Sequence, residues 1–175
     1  MVCRGNYRFA SLTLSCIVLV VSVKSGNAQN APGAGVAVVG GAFQYDISGT
    51  GTTPFGGLRL ELPLNRYVLL EPGLTYARYT PQFGGSVVSM FLPEAQLQLT
   101  LPFRRFQPFA GLGLGYGHFR SDTETSTTLW GSAGAGARFS LNRSLGIRTE
   151  LRLRANDMLT ASAAELTLGV SRRFQ

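Results

Sequence analysis

Over residues 145–156 the chain reads LGIRTELRLRAN, with Leu145, Ile147, Leu151 and Leu153 on one parity and Arg148, Glu150, Arg152 and Arg154 on the other. An extended strand sends successive side chains to opposite faces, so this stretch has one apolar and one charged face. The same two-residue alternation recurs over residues 35–45, 57–64, 67–79, 87–101, 107–119, 127–141, 145–155 and 162–174. From Gly35 onward no helical period is sustained over three turns. The pattern predicts eight strands and an all-β domain.

Followed from segment to segment, one face is leucine-rich and almost uncharged, as in Leu58, Leu60 and Leu62 or Leu97, Leu99 and Leu101. The other face gathers Arg59, Glu61, Glu71, Glu94, Arg138, Arg148, Glu150, Arg152, Arg154, Glu165 and Arg173, together with glycine at 111, 113, 115, 117, 134 and 136. Water would accept the charges, but it gives no reason for stripes of glycine on two neighbouring strands. The interior of a closed eight-stranded barrel is just wide enough to be filled by side chains, so long arginines on one wall need small residues on the wall opposite. Charges sharing such a lumen must be paired, because losing one partner leaves a buried ion uncompensated at about 3–5 kcal/mol. If the first tight turn is centred on Asn65, Arg59 stands opposite Glu71; across the last loop, Glu165 faces Arg152 or Arg154. The leucine face then meets lipid.

The connections alternate in length. LNRY, LPFRRF and SLNRSL are tight, whereas DISGTGTTPFG, TPQFGGS, RSDTETST and NDMLTAS are longer, polar and rich in Gly, Ser and Thr. Short turns at one end and longer loops at the other are expected of membrane barrels with both termini on the short-turn, periplasmic side. Most segments reach the ~9–11 residues that a tilted strand needs to cross the hydrocarbon. Aromatic residues gather near segment ends, with Tyr67, Phe103, Phe106, Phe139 and Phe174 at the turn end and Phe43, Tyr45, Tyr76, Phe119 and Trp130 at the loop end. These predict two interfacial belts. The predicted fold is an eight-stranded antiparallel up-and-down transmembrane β-barrel.

The front of the chain is organised differently. Arg4 and Arg8 precede an apolar run over residues 9–23, and SGNAQ offers small residues for cleavage, so residues 1–28 have the layout of a secretory signal. The run is shorter than the ~20 residues of a spanning helix. This divides the chain into a signal (1–28), a short segment (29–34) and the barrel (35–175). Both cysteines, Cys3 and Cys16, fall in the signal, which leaves the exported chain without a disulfide. Removing the signal lowers the formal charge from +7 and leaves only arginine as base. Arginine without lysine suits fixed ion pairs in confined places. Nucleic-acid binding would want clustered bases rather than bases interleaved with glutamates, and no nucleic-acid partner is predicted.

The chain ends AELTLGVSRRFQ. Thr167, Gly169 and Phe174 resemble the C-terminal strand signal of bacterial outer-membrane proteins, a polar residue, a glycine two positions on and a near-terminal phenylalanine; Arg172 stands where that signal prefers an aromatic, and Gln175 follows the phenylalanine. With LEPGLTYARY, PFAGLGLGYGHF and RTELRLRAN, the chain is similar over nearly all of residues 35–174 to the small outer-membrane barrel superfamily that includes the OmpA, OmpX and OmpW types. The resemblance implies insertion by the barrel assembly machinery, residence as a monomer among outer-membrane lipid, and a non-enzymatic role in envelope integrity or surface interaction.

Candidate chemistry is sparse. The glycines of GLGLGYG repeat at strand spacing and no helix pattern follows, which argues against a phosphate loop. His118 is the only histidine, so a histidine metal site cannot be assembled from several, and no metal or cofactor is predicted. A lipid A acyl-chain hydrolase could use Ser121 as nucleophile, His118 as base and Glu124 as orienter, but the three lie within seven residues and nothing supplies an oxyanion hole. Interleaved arginines make the glutamates ion-pair partners rather than a glycosidase acid and base. An aqueous pore needs about 16 strands. A further alternative is a soluble periplasmic ligand-binding barrel of lipocalin type, with the leucine face turned inward.

Overall fold

A computed structural model describes residues 33–45, 51–80, 86–122, 124–156 and 161–174. The signal expected over residues 1–28 lies outside them. The strands are β1 (Gly35–Tyr45), β2 (Thr52–Pro63), β3 (Val68–Tyr79), β4 (Val88–Thr100), β5 (Phe106–Arg120), β6 (Thr125–Ser140), β7 (Leu145–Asn156) and β8 (Ala161–Arg173). They pair antiparallel in chain order and close into a barrel through β8 and β1. Closure leaves no unpaired edge, which is what a sheet in lipid requires. One strand is longer than its sequence pattern. Thr52–Gly56 pair with Gln44–Gly40, although Pro54 and Gly56 interrupt the alternation there, because Thr53 and Phe55 still turn inward.

Two of the three short turns use one device. In LNRY, Asn65 Oδ1 accepts hydrogen bonds from the backbone N–H groups of Tyr67 and Val68 at 2.8 and 2.9 Å. In LNRS, Asn142 Oδ1 accepts from Ser144 and Leu145 at 2.9 and 2.7 Å. A side-chain carbonyl thus holds two amide groups that the tight reversal strips from the ladder. The β2–β3 register that follows, with Pro63 opposite Leu69 and Leu62 opposite Leu70, centres the turn on Arg66 rather than Asn65. Arg59 accordingly stands opposite Gly73, not Glu71.

The two faces sort as their chemistry demands. Leu99, Leu112 and Leu114 are 65–70% exposed on the outside, while Arg148 and Glu165 are fully buried in the lumen. The soluble lipocalin reading requires the reverse and is overturned by this placement. A continuous leucine surface of this kind is tolerated in lipid and not in water.

The lumen has two storeys. Its middle holds the charged residues. Toward the loop end, Phe43, Phe55, Met90, Leu92 and Trp130 are buried with Ala77 and Ala163, Tyr79 and Phe119 pack against them, and Ala37 and Val39 continue the cluster down β1. The rings of Phe119 and Trp130 lie 6.2 Å apart. This corrects the expected loop-end belt, since Phe43 and Trp130 point inward and Phe119 packs on the same cluster. The Tyr45 side chain lies outside what is described. Tyr76 is exposed as expected, as are Tyr67, Phe103, Phe106, Phe139 and Phe174 at the turn end.

Such a closed, fully paired barrel should resist unfolding by detergent alone. The folded protein is expected to migrate faster than the boiled one on a denaturing gel; identical mobilities would be incompatible with the closed barrel.

Candidate functional site: the charged lumen

Five arginines and five glutamates are buried in the lumen, so their formal charges cancel: Arg59, Arg138, Arg148, Arg152 and Arg154 against Glu61, Glu71, Glu94, Glu150 and Glu165. Their parity on β2, β3, β4, β6, β7 and β8 aims all ten inward. Glu71 is the hub. It accepts hydrogen bonds from Arg148 Nη1 and Nη2 at 2.6 and 3.1 Å and from Arg138 Nη2 at 3.1 Å, with Arg152 at 3.6 Å and Arg59 at 3.9 Å. Glu61 accepts from Arg138 Nε at 2.9 Å. Glu150 accepts from Arg148 Nη2 and Arg152 Nε, each at 2.9 Å. Glu94 is held by Arg152 and Arg154 together and by Ser132 Oγ at 3.2 Å.

On the last strand, Glu165 accepts from Arg154 Nε and Nη2 at 2.9 and 2.6 Å and from Thr167 Oγ1 at 2.9 Å, and it lies 3.5 Å from Arg59 Nη2. In the ladder Glu165 stands opposite Arg152, yet its hydrogen bonds come from Arg154, one step along the strand. Arg59 reaches Glu71 only at salt-bridge distance and donates instead to Thr75 Oγ1 at 2.7 Å. Arg173 stands apart. It is half-buried at the turn-end mouth and donates to Gln107 Oε1 at 2.7 Å rather than to a carboxylate.

Neutral residues that the charge pattern did not single out complete the network. Gln96 donates to Glu150 Oε1 at 3.2 Å and accepts from Arg152 Nη2 at 3.2 Å, while Gln98 accepts from Arg138. Phe109 lies under the Arg138 guanidinium, 4.2 Å from Cζ to ring centroid, an arrangement that favours a cation in a dry site. All three are on the inward parity, so alternation alone could have found them. Glycine supplies the room. A Cβ at Gly73 would lie 2.4 Å from Arg59 Cδ, and one at Gly134 would lie 2.7 Å from Glu150 Oε1.

The network fills the middle of the barrel. A cavity of about 300 Å³ opens at the turn end, lined by Glu61, Asn65, Arg66, Gln107, Arg138 and Arg173 among others. One of about 240 Å³ lies at the loop end, against Tyr79, Phe119, Ser121, Glu124, Thr128 and Asn156. With every lumen carboxylate bound by arginine, none is poised as an acid or base. Among the described residues no group of three or more His, Cys, Asp or Glu side chains could hold a metal ion.

The alternative catalytic set is not assembled. His118 Nδ1 is hydrogen-bonded to Thr127 Oγ1 at 2.9 Å. The Ser121 hydroxyl donates to the Glu124 carbonyl at 3.2 Å and accepts from the Glu124 N–H at 3.1 Å, a local turn made with the Glu124 backbone. Of the C-terminal trio, Thr167 and Gly169 face the lumen: Thr167 braces Glu165, and a Cβ at Gly169 would lie 2.7 Å from Val39 Cγ1. Phe174 is exposed at the turn end, its N–H bonded to the Ala34 carbonyl at 2.7 Å.

The profile of the outer membrane protein beta-barrel domain matches residues 13–174. The chain belongs to this family. As an outer-membrane barrel it resides in the bacterial outer membrane. Among solved structures, it is similar to Neisserial surface protein A (12% identity, 83% of this chain and all of that one, TM-score 0.69). It is also similar to Ail, the attachment invasion locus protein of Yersinia pestis (13% identity, 82% and 99%, TM-score 0.59). The outer membrane enzyme PagL shares the fold as well (14% identity, 80% and 99%, TM-score 0.52). At these identities the likeness is one of fold alone. Comparison with curated proteins finds no match.

The hub position of Glu71 has a measurable consequence for this barrel. Glu71→Gln removes the counter-charge of Arg138 and Arg148 and should lower stability in lipid by about 3–5 kcal/mol in urea unfolding. Arg173→Gln, at the half-open mouth, should change it by less than about 1 kcal/mol. Equal effects would mean that the network is not the main polar support of the fold. Independently, Gly134→Leu, which drives a side chain into Glu150, should cost about 1–3 kcal/mol in the same measurement.

Proposed function

We propose that this protein is a non-enzymatic, monomeric barrel with a structural or surface-interaction role in the cell envelope. In this reading the short turns and both chain ends face the periplasm, and the longer connections stand at the cell surface. The observation that carries it is the filled lumen: the ion pairs occupy the middle of the tube and the Phe43–Trp130 cluster lies toward its loop end, so the cavities at the two mouths are separated by packed side chains. What remains accessible is the loop surface. The names of two similar folds, a surface protein and an attachment invasion locus protein, are consistent with a role there.

Insertion by the barrel assembly machinery fits a C-terminal strand that exposes Phe174 while committing Thr167 and Gly169 to the interior. The fold shared with an enzyme leaves a hydrolase to be tested, but the hydrogen bonds of His118 and Ser121 run to Thr127 and to the Glu124 backbone instead of to each other.

In planar bilayers the purified protein is expected to give no resolved channel openings; stable unitary conductance would refute the filled lumen. Lipid A from cells expressing the protein should be identical by mass spectrometry to that from cells carrying His118→Ala, and a missing acyl chain only with the unaltered protein would establish the enzyme instead. For orientation, an epitope inserted between Ser121 and Asp122 should be reached by antibody on intact cells, and one inserted between Arg104 and Arg105 should not. The opposite labelling would invert the barrel.

A further inference from the structure

Charge is distributed unevenly along the barrel axis. The lumen is neutral. Outside it, six arginines lie at the turn end: Arg66 in the β2–β3 turn, Arg104 and Arg105 in the β4–β5 turn, Arg143 in the β6–β7 turn, and Arg172 and Arg173 at the end of β8. Those turns contain no acidic residue. The carboxylate nearest to them, Glu61 in the turn-end cavity, is committed to Arg138. At the loop end, by contrast, Arg78 and Arg120 are accompanied by Asp122 and Glu124 among the described residues.

The six cations share their level with the exposed aromatic belt. The Arg66 guanidinium lies 4.4 Å over the Tyr67 ring, Phe103 precedes Arg104, and Phe174 follows Arg173. Arg172 is the informative member. It stands on the outward parity, opposite Val36 of β1 and Leu145 of β7, on the face that lipid covers. An arginine on that face is tolerated only where its stem lies along apolar surface and its head reaches the polar interface. Rings that sit at headgroup level and guanidinium groups that bind phosphate in a bidentate manner are the two halves of a phospholipid contact.

We propose that this arginine–aromatic collar binds the phosphate groups of anionic phospholipids in the leaflet that meets the short turns. The name of that leaflet rests on the orientation proposed above; the selection of headgroup does not. Guanidinium groups spaced around the rim give each bound lipid a separate seat, and among the described residues the turns carry no acidic side chain to compensate the rim charge. Among the described residues the loop end has no such surplus.

The test uses the full folded chain reconstituted in vesicles of phosphatidylcholine, with spin-labelled phosphatidylglycerol or spin-labelled phosphatidylcholine as probe. The fraction of motionally restricted probe gives their relative association with the barrel surface. Phosphatidylglycerol should be preferred by about fivefold at low salt, the gain expected of one basic side chain at an anionic surface. The preference should fall as salt is raised. Replacing Arg66, Arg104, Arg105, Arg143 and Arg172 together by glutamine should abolish it, while Arg78→Gln with Arg120→Gln should leave it intact. These residues are exposed, so both variants are expected to fold, and the heat-shifted gel mobility verifies that they do. Equal association of the two lipids overturns the proposal, as does a preference that survives the turn-end replacements. Displacement of the labelled lipid by millimolar inorganic phosphate would also overturn it, since the seats would then select free phosphate rather than lipid.

Discussion

The fold depends on the mutual compensation of arginine and glutamate in a space without water. Ten ionised side chains in the lumen of a tube this narrow are tolerable only if each meets its opposite, and most do so across strands. Glu71 on β3 is reached by Arg138 from β6 and by Arg148 and Arg152 from β7. The backbone ladder closes the wall of the barrel, whereas these contacts brace it across the diameter. Glycines at 73 and 134 belong to the same solution, because the guanidinium and carboxylate groups occupy the volume that side chains there would fill.

Above this network the lumen changes character. The apolar cluster around Phe43, Met90, Leu92 and Trp130 supplies a second kind of filling, held by dispersion and exclusion of water rather than by charge. The division has a physical logic: ion pairs gain strength where the dielectric is low, and a hydrophobic stopper screens them from the loop end. The outer surface is simpler, with leucines at mid-height and arginines and aromatic rings at the turn-end margin.

Much of this was legible in the sequence because the strand period is short and strict. Counting by twos placed all five lumen glutamates and all five lumen arginines on the correct face, and the alternation of short and long connections gave the up-and-down order. Two things escaped. Register depends on the turn rather than the faces, and a turn centred one residue later moved Arg59 from Glu71 to Gly73 while preserving every face. The loop-end aromatics were assigned to a belt by their position along the strand, although Phe43 shares the parity of Val39 and Trp130 that of Ser132. Carrying the count to the strand ends would have turned them inward. The start of β2 was hidden for another reason, because Pro54 and Gly56 break the hydropathy alternation without breaking the inward order of Thr53 and Phe55. The pairing of His118 with Thr127 needed neighbouring strands in space and had no local signal.

The span of the lumen contacts along the chain sets how the molecule can be built. Glu71 and Arg148 are 77 residues apart and Arg59 and Glu165 are 106 apart. A single hairpin, such as β2 with β3, would carry Glu61 and Glu71 into the bilayer without Arg138 and Arg148, their hydrogen-bonded partners. Strand-by-strand insertion is therefore opposed at every intermediate stage. Contacts of such long range also make spontaneous folding slow, because the entropy of closing the whole chain is lost before the first and last strands can repay it.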